Sequence, residues 1–241
     1  MIVEKPLSFV STFIEKIDES LRDHSPNQGL SHIQKVWLSF CISCILITNS
    51  VCWAAFKHRS TNTLSTSALS WMFCHSKITW ELLLHTGIKV LLLLFGITQG
   101  ALLVDDTDNK RSKSTTKIGY VHKLKDKSSN GYIMGQNIVF LVLVTPSITI
   151  PVGFTFYMPD PELTKWNKRI KELKEQNVPS KDYPPKPKEN SKYPTKQQIA
   201  LNILTEFKLY HPTVKVKSIL ADNLYGTACF MDNASKTFDN V

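Results

Sequence analysis

The sequence changes abruptly from apolar to charged residues at Asp105, and this change indicates where a strand of the fold lies. Residues 102–104 are apolar, and two carboxylates, Asp105 and Asp106, follow them directly. A short apolar run of this kind is typical of a buried strand. The chain then turns strongly basic, with four lysines or arginines between residues 110 and 117. We therefore predict a buried strand that ends at Asp105 and presents two carboxylates at its tip.

A second junction of the same kind lies later in the sequence. Residues 214–220 have a strand-like pattern, and another acid, Asp222, comes soon after them. Residues 138–144 and 149–157 are β-branched and apolar, which predicts two further strands. An Asp after a strand is also a common turn former or helix N-cap, because its side chain accepts hydrogen bonds from backbone N–H groups. The residues alone leave both interpretations open for Asp105 and Asp222.

The first part of the chain has the apolar periodicity of helices and predicts a separate helical domain. Helical patterns cover residues 9–21, 31 to about 53, 64–73 and 80–94, with Ser31 as the N-cap of the second. We therefore predict a helical domain over residues 1–97 and an α/β domain over residues 98–241. A chain of 241 residues is long enough for both domains.

An insertion over residues 160–195 is predicted between the strands of the second domain. The Asp-Pro-Glu sequence that begins at Asp160 is a strong helix start, with an N-cap acceptor, a proline at the first helical position and an acid in the first turn. Residues 178–194 contain five prolines and several lysines, which predicts an extended, solvated loop. A helix over residues 196–210 then leads into the last predicted strand.

Positive charge is concentrated in two parts of the second domain. The formal net charge of the whole chain is +9 at pH 7. Residues 110–127 carry seven Lys or Arg against one acid, and residues 165–196 carry ten against four, so each segment has a net charge of +6. Basic clusters bind DNA phosphates by releasing counterions, although a solvated surface would have the same composition. The candidate DNA-binding residues are Lys110, Arg111, Lys113, Lys117, Lys123, Lys125 and Lys127.

Two apolar stretches, residues 37–56 and 88–104, approach the length of about 20 residues that a membrane span needs. Polar residues interrupt the first, and a lysine and flanking glycines interrupt the second, so we predict core elements and no membrane partner. A membrane-associated protein is the less favoured alternative, because it leaves the later strands unexplained. The five cysteines are scattered, which is typical of a reducing cytoplasm. Cys41 and Cys44 form a C-x-x-C pair inside apolar sequence, which predicts core residues rather than a metal or redox site.

Five segments of the second domain form a recognisable set. They are Val-Asp-Asp-Thr at residues 104–107, residues 122–127, Gly-Tyr at residues 131–132 before the strand at residues 136–144, residues 150–154, and Leu-Ala-Asp-Asn-Leu-Tyr-Gly at residues 220–226. This set resembles the DDE transposases of bacterial insertion sequences, in particular the insertion-sequence-four superfamily. The resemblance extends from about residue 31 onward, and residues 103–226 are its specific part.

The resemblance implies an α+β fold. A helical N-terminal domain would help to recognise DNA ends, and an incomplete ribonuclease-H-like α/β core with a mixed sheet would follow, interrupted by the basic, proline-rich insertion. The resemblance gives the catalytic and metal-binding roles to Asp105 and Asp222, with Asp106 as an alternative to Asp105. It implies Mg²⁺ or Mn²⁺ in a two-ion site. The implied partners are double-stranded DNA, at the element ends and the target, and a second copy of the chain in a synaptic complex, within the bacterial cytoplasm at the nucleoid.

A third acid of the family has no counterpart in this sequence. Family members carry a glutamate on a later helix, and no Glu follows Glu206 here. The resemblance therefore implies a truncated transposase that keeps the first strands of the core and is inactive by itself. A catalytically dead DNA-binding regulator of transposition is the alternative, because it would need the basic residues but not the acids. Whether the chain is an enzyme stays open.

Overall fold

The computed structural model describes residues 5–24, 26–61, 65–112, 115, 117–126, 129 and 131–238. The chain divides into two compact units, Met1–Gly96 and Ile97–Val241. The first unit is helical, and the second contains a five-stranded mixed sheet together with helices. The protein is therefore an α+β protein, as the sequence predicts.

Five α-helices make up the described part of the first unit. They are α1 (Ser8–His24), α2 (His32–Thr48), α3 (Trp53–His58), α4 (Thr66–His75) and α5 (Trp80–Leu94). Buried residues of α1 recur at the three- and four-residue spacing of one helix face, and they are Val10, Ile14, Ile17 and Leu21. Phe9, which the periodicity also suggests as a core residue, is instead exposed.

Helix α2 starts as predicted but is shorter than its apolar sequence suggests. The Ser31 hydroxyl accepts a hydrogen bond from the N–H of Gln34, and the Gln34 side chain accepts one from the N–H of Ser31. The helix ends at Thr48 because Asn49 adopts the left-handed conformation, with φ of 49°. The rest of the apolar stretch forms the separate helix α3. Among the residues that the structure describes, no helix is long and apolar enough to cross a membrane.

The apolar residues of α2 lie in the core of the helical unit. The buried ring of Trp37 packs against Trp53 and Trp80, with centroid distances of 6.1 Å and 6.3 Å. Cys41 and Cys44 are buried as well, and burial raises the pKa of their thiols to about 12 and about 11. A thiol that stays protonated because it is buried in apolar surroundings is a poor nucleophile. The prediction that both are core residues is confirmed.

The second unit is built on one mixed sheet. Its strands are β1 (Gln99–Arg111), β2 (His122–Lys125), β3 (Tyr132–Val144), β4 (Thr149–Tyr157) and β5 (Lys215–Ala221). Strand β3 is central, because it pairs antiparallel with β1 along one edge and with β2 and β4 along the other. Strand β5 lies on the far side of β1 and runs parallel to it. Strands β4 and β5 run in the same direction and are separated by β3 and β1, so the chain between them crosses over the sheet.

Strand β1 does not end at Asp105, so that prediction is wrong. The strand continues through polar residues to Arg111, and every residue from Asp105 onward has a partner on β3. Strand β3 is as long as β1, so its backbone can pair with the polar half of β1. Backbone hydrogen bonds extend this strand although its side chains are polar. On the other side, β5 ends at Ala221, which lies opposite Val104. Asp105 therefore lies where one neighbouring strand stops, although its own strand continues.

Three helices complete the described part of the second unit. They are α6 (Pro161–Glu175), α7 (Lys196–Tyr210) and α8 (Ala228–Thr237). The Asp160 carboxylate caps α6 as predicted, by accepting hydrogen bonds from the N–H groups of Glu162 and Leu163. Helix α7 packs against β3 and β4. Gly153 allows this close approach, because a Cβ atom at that position would collide with Ile203.

One face of the sheet is covered by α7, and the other is more open. Val139, Leu141 and Leu143 of β3 are at most 1% exposed, whereas Phe154 on the opposite face is 49% exposed. Since side chains alternate along a strand, Asp106 shares the side of β1 that carries the buried residues Leu102 and Val104, and Asp105 lies on the other side.

Candidate metal centre

Two parallel strands bring three carboxylates together. In the register of β1 and β5, Val104 lies opposite Ala221, and this is the last pair. The next residue of each chain segment is an acid, so Asp105 and Asp222 are neighbours just beyond the end of the pairing. One oxygen atom from each of Asp105, Asp106 and Asp222 lies within 4.8 Å of the other two. The two acids singled out by the sequence, and the alternative to one of them, therefore form a single cluster. Elsewhere in the described ranges, no other group of three or more metal-ligating side chains is placed to hold an ion.

Backbone N–H groups orient the carboxylates of Asp105 and Asp222. Oδ1 of Asp105 accepts a hydrogen bond from the N–H of Asp106 at 2.7 Å. Oδ1 of Asp222 accepts one from the N–H of Leu224 at 2.8 Å, which caps the short 3₁₀ helix Asn223–Tyr225. The N-cap interpretation is thus correct for Asp222. It does not exclude metal binding, because each carboxylate has a second oxygen atom.

Asp106 has a different environment, because a cation already pairs with it. Its Oδ2 atom accepts a hydrogen bond from Nδ2 of Asn137 at 2.8 Å and another from Nζ of Lys196 at 2.7 Å. Nδ2 of Asn137 also donates to Oδ1 of Asp108 at 2.7 Å. Asp105 is exposed and has no such ion pair with a Lys or Arg of the described residues. Because an ammonium already pairs with Asp106, the carboxylate of Asp105 is the more available ligand.

The hydroxyl of Tyr225 is buried beside the cluster and has no hydrogen-bond partner among the residues that the structure describes. The residue is 1% exposed, and no group of the described chain donates to or accepts from its hydroxyl. Burial raises the pKa of Tyr225, and the negative charges of Asp106, Asp222 and Asp105 raise this pKa further. Leaving a buried hydroxyl unpaired costs roughly 1–3 kcal/mol. A species bound at the cluster could supply the missing hydrogen bond.

The chemistry of these residues fits a hard divalent cation. Three carboxylates so close together repel one another, and a bound cation would remove that repulsion. Carboxylate oxygens are the ligands that Mg²⁺ and Mn²⁺ prefer. Asp222 and Tyr225 also line a groove of about 500 Å³, together with Gly226 and Asp232. The groove therefore reaches the cluster at Asp222, and Asp105 and Asp106 are not among its lining residues.

The candidate DNA-binding residues of β1 are exposed but lie away from the cluster. Lys110 and Arg111 are five and six positions beyond Asp105 on the same strand, a separation of about 17–20 Å at the usual rise per residue. Nζ of Lys110 lies 3.1 Å from Oδ1 of Asp126, and the Arg111 guanidinium donates to the side chain of Gln136. Closeness in sequence to the acids is therefore not closeness in space.

The other candidate DNA-binding residues are divided between exposed positions and positions outside the described residues. Lys123 is exposed, and its Nζ atom lies 4.3 Å from the ring centre of Tyr132. Lys117 and Lys125 are also exposed. Lys113 and Lys127 lie outside the residues that the structure describes. DNA binding by this set stays a prediction.

Three residues of the site were not found by sequence reasoning. Lys196 is only one lysine of a basic stretch in the sequence, and it lies 90 positions from Asp106, so no local pattern connects the two. Asn137 carries a usable signal, because an amide next to an apolar strand indicates a polar partner on the neighbouring strand. Tyr225 belongs to a motif used in the resemblance, but its burial depends on the packing of the second unit.

Comparison of the sequence with known protein families and with curated proteins gives no match in either case. The geometry of the carboxylate cluster and the motifs that contain it are therefore the features that indicate a function.

Proposed function

We propose that this protein is a transposase of the DDE class, which acts on the DNA of a bacterial insertion sequence through a metal centre that includes Asp105 and Asp222. The observation that carries the proposal is the approach of these two acids and Asp106 to within 4.8 Å. Carboxylates that converge on one point can hold the metal ions that metal-dependent phosphodiester chemistry uses. The motif resemblance selects the same two acids independently of their distance.

The reaction would be DNA cleavage followed by strand transfer. A water molecule, and later a DNA 3′-hydroxyl, attacks a phosphodiester phosphorus, and the bridging oxygen on its opposite side leaves. Bound Mg²⁺ or Mn²⁺ would activate the attacking oxygen and stabilise the leaving one. Asp105 and Asp222 would hold the ion through the oxygen atoms that the backbone N–H groups do not use. The Tyr225 hydroxyl is available to hydrogen-bond to a bound species.

The described carboxylates form only part of a two-ion site. A two-ion site holds its ions about 3.5–4 Å apart and needs carboxylates for both. Asp106 is paired with Lys196, whereas no Lys or Arg of the described residues pairs with Asp105 or Asp222. A further acid is then required for cleavage, and these residues alone are inactive. We therefore expect that the chain by itself does not cleave DNA.

The sheet and the surface charge support the same proposal. An antiparallel set of β4, β3 and β1, with β5 parallel to β1, is compatible with a ribonuclease-H-like core. The exposed lysines and arginines of residues 110–125 offer contacts for phosphates. The proposed partners are double-stranded DNA and a second copy of the chain, and the proposed place of action is the bacterial cytoplasm at the nucleoid.

Titration of the purified protein with Mn²⁺ tests the metal centre. Electron paramagnetic resonance of the unbound ion should show binding that is lost in Asp105→Asn and in Asp222→Asn. Asp182→Asn removes an exposed carboxylate from the short 3₁₀ helix Ser180–Asp182 and should bind as the unchanged protein does. Equal Mn²⁺ binding by all four proteins would refute the centre.

A cleavage assay tests the proposed inactivity. Supercoiled plasmid and duplex DNA that carries the sequence flanking the gene should stay intact with Mg²⁺ or Mn²⁺. Cleavage that disappears in Asp105→Ala would show that the chain needs no further acid, and it would contradict this part of the proposal.

A second candidate function is a DNA-binding regulator without catalysis, and the ion pair between Lys196 and Asp106 favours it. This pair occupies one carboxylate of the cluster, so that acid is less available to a metal ion. Gel-shift assays separate the two functions when combined with the Mn²⁺ titration. Charge reversal at Lys110, Arg111 and Lys113 should weaken DNA binding, and Asp222→Asn should leave it intact. DNA binding without Mn²⁺ binding would favour the regulator.

A further inference from the structure

Lys196 connects helix α7 to the carboxylate cluster. It is the first residue of α7, and a capping box at Thr195 fixes the start of this helix. The Lys196 and Asp106 side chains are 24% and 17% exposed, and the distance from Nζ to Oδ2 is 2.7 Å. The ammonium also lies 5.4 Å from the ring centre of Tyr157. The base of this side chain is therefore held by a regular, packed element.

The ammonium of Lys196 pairs with a carboxylate that a metal ion would use. Asp106 is one of the three acids whose oxygens lie within 4.8 Å, and Lys196 donates to its Oδ2 atom. A divalent ion bound by all three carboxylates would be close to this ammonium. Two cations that share one carboxylate repel each other strongly. Lys196 and a divalent ion therefore compete for Asp106.

Two buried polar atoms are independent signs that the cluster binds a further species. The Tyr225 hydroxyl and Oδ1 of Asn137 have no hydrogen-bond partner in the described chain, and these residues are 1% and 3% exposed. Buried polar atoms in folded proteins nearly always have a partner. Asn137 is bonded to Asp106 through its amide nitrogen, and the charges of all three acids act on the Tyr225 hydroxyl. Water molecules bound to a cation could donate hydrogen bonds to both atoms.

We infer that Lys196 is an internal competitor of the divalent ion, which holds Asp106 in the metal-free protein and moves to a DNA phosphate when the ion binds. The inference rests on the proposed function, because it needs metal and DNA at one cluster. It adds a role for a residue that is neither one of the acids nor one of the candidate DNA-binding residues.

The exchange couples metal binding to DNA binding. Without metal, the ammonium offsets part of the negative charge that would repel a phosphate. With metal bound, the displaced ammonium needs a new anion, and a DNA phosphate at the cluster provides one. Because linkage is reciprocal, DNA raises the affinity for metal by the same factor by which metal raises the affinity for DNA.

Mn²⁺ titrations of the whole chain, with and without a short duplex DNA, measure this coupling. Without DNA, Lys196→Met should bind Mn²⁺ about tenfold more tightly than the unchanged protein, because no ammonium then pairs with Asp106. Addition of duplex should tighten Mn²⁺ binding by the unchanged protein but not by Lys196→Met. Lys165→Met makes the same substitution at an exposed position of α6 and should follow the unchanged protein in both titrations.

Two further variants protect the test against effects on folding. Lys196→Arg keeps the positive charge and should titrate like the unchanged protein, whereas Lys196→Gln removes it and should titrate like Lys196→Met. Thermal melts followed by circular dichroism select the variants that are folded.

The possible results separate this inference from the function on which it rests. If folded neutral variants bind Mn²⁺ no more tightly than the unchanged protein does, Lys196 is not a competitor and the inference is overturned. If the unchanged protein and every variant fail to bind Mn²⁺, the metal centre itself is refuted, and the inference falls with it. Tighter binding by both neutral variants, with loss of the DNA effect, supports the inference.

Discussion

Asp18 in the helical unit and the acid cluster in the second unit hold carboxylates in opposite ways. Asp18 is 4% exposed, and each of its oxygens has a partner. Oδ1 accepts a hydrogen bond from the N–H of Leu30 at 2.6 Å, and Oδ2 lies 3.2 Å from Nε of Arg22 and 3.3 Å from Nζ of Lys35. Burial raises the pKa of Asp18, but the Leu30 N–H and the two cations lower it more, so the net pKa lies below the usual 3.8.

The cluster of Asp105, Asp106 and Asp222 lacks this balance. Lys196 pairs with Asp106, whereas no Lys or Arg of the described residues pairs with either of the other two. Their combined charge also adds to the effect of burial in raising the pKa of Tyr225. A carboxylate with a complete set of partners stabilises the fold. Crowded carboxylates beside an unpaired hydroxyl lower stability locally, and such places are candidates for binding sites.

The largest expected effect is at the balanced carboxylate. Asp18→Ala should lower the free energy of unfolding of the helical unit by about 3 kcal/mol, because it leaves the Leu30 N–H buried without an acceptor and removes the anion between two cations. Urea denaturation followed by circular dichroism measures the change. Asp23→Ala, at an exposed position of the same helix, should stay within about 0.5 kcal/mol. Mn²⁺ binding should not change in either variant. Equal losses of unfolding free energy in the two variants would show that Asp18 is no more important to the fold than an exposed acid.

The unpaired hydroxyl should give an effect of opposite sign. Tyr225→Phe should raise the stability of the metal-free second unit by about 1 kcal/mol, because a buried group without a partner is removed. The same variant should bind Mn²⁺ more weakly, since a hydrogen bond to the bound species is lost. Chemical denaturation and Mn²⁺ titration give the two values. Tyr183→Phe changes a half-buried tyrosine outside the cluster and serves as the control. A lower stability for Tyr225→Phe would mean that its hydroxyl has a partner.

A smaller effect of the same sign is expected at an acid of the cluster. Asp105→Asn should raise the stability of the metal-free protein by about 0.5 kcal/mol, because one of three neighbouring negative charges disappears. Addition of Mn²⁺ should stabilise the unchanged protein and not this variant. Thermal melts at increasing Mn²⁺ concentration measure both effects. A loss of stability without metal would place Asp105 with Asp18 as a structural carboxylate.

The smallest expected effect is the pH dependence that Asp18 confers. Its pKa is lower in the folded protein than in the unfolded one, so its contribution is complete above pH 3.8 and is lost as the pH falls through the folded value. Asp18→Asn should flatten the decrease in stability on the acid side. The effect is limited because Arg22 is about half exposed and solvent screens its charge. Melts between pH 2 and pH 6 compare the two proteins, and parallel curves would contradict the assignment.

Local rules predicted the parts of the fold that depend on neighbours in sequence. Ser31 and Asp160 are helix caps as expected, because a cap needs only an acceptor and N–H groups two or three residues away. The end of α2 at Asn49 also has a local cause, since Asn tolerates the left-handed conformation. The length of β1 beyond Asp105 could not be predicted, because it depends on the length of β3.

The residues of the site were also only partly predictable from the sequence. Motifs identified Asp105 and Asp222, but their separation depends on the parallel register of β1 and β5, which no motif contains. Lys196 reaches Asp106 from the start of α7 after a long connection, so the contact requires the packed fold. The unpaired state of Tyr225 is likewise a property of the folded unit. Sequence indicates which residues carry the chemistry, and packing decides how their charges are balanced.

The polar extension of β1 gives the proposed DNA complex a length scale. Lys110 and Arg111 are on the same rigid strand as Asp105, about 17–20 Å away. Base pairs of duplex DNA are 3.4 Å apart along the axis, so this interval equals about five or six base pairs. A duplex lying along β1 would therefore meet the basic end of the strand about half a helical turn from the phosphate at the acids. Hydroxyl-radical footprinting would measure this interval as the spacing between two protected sites.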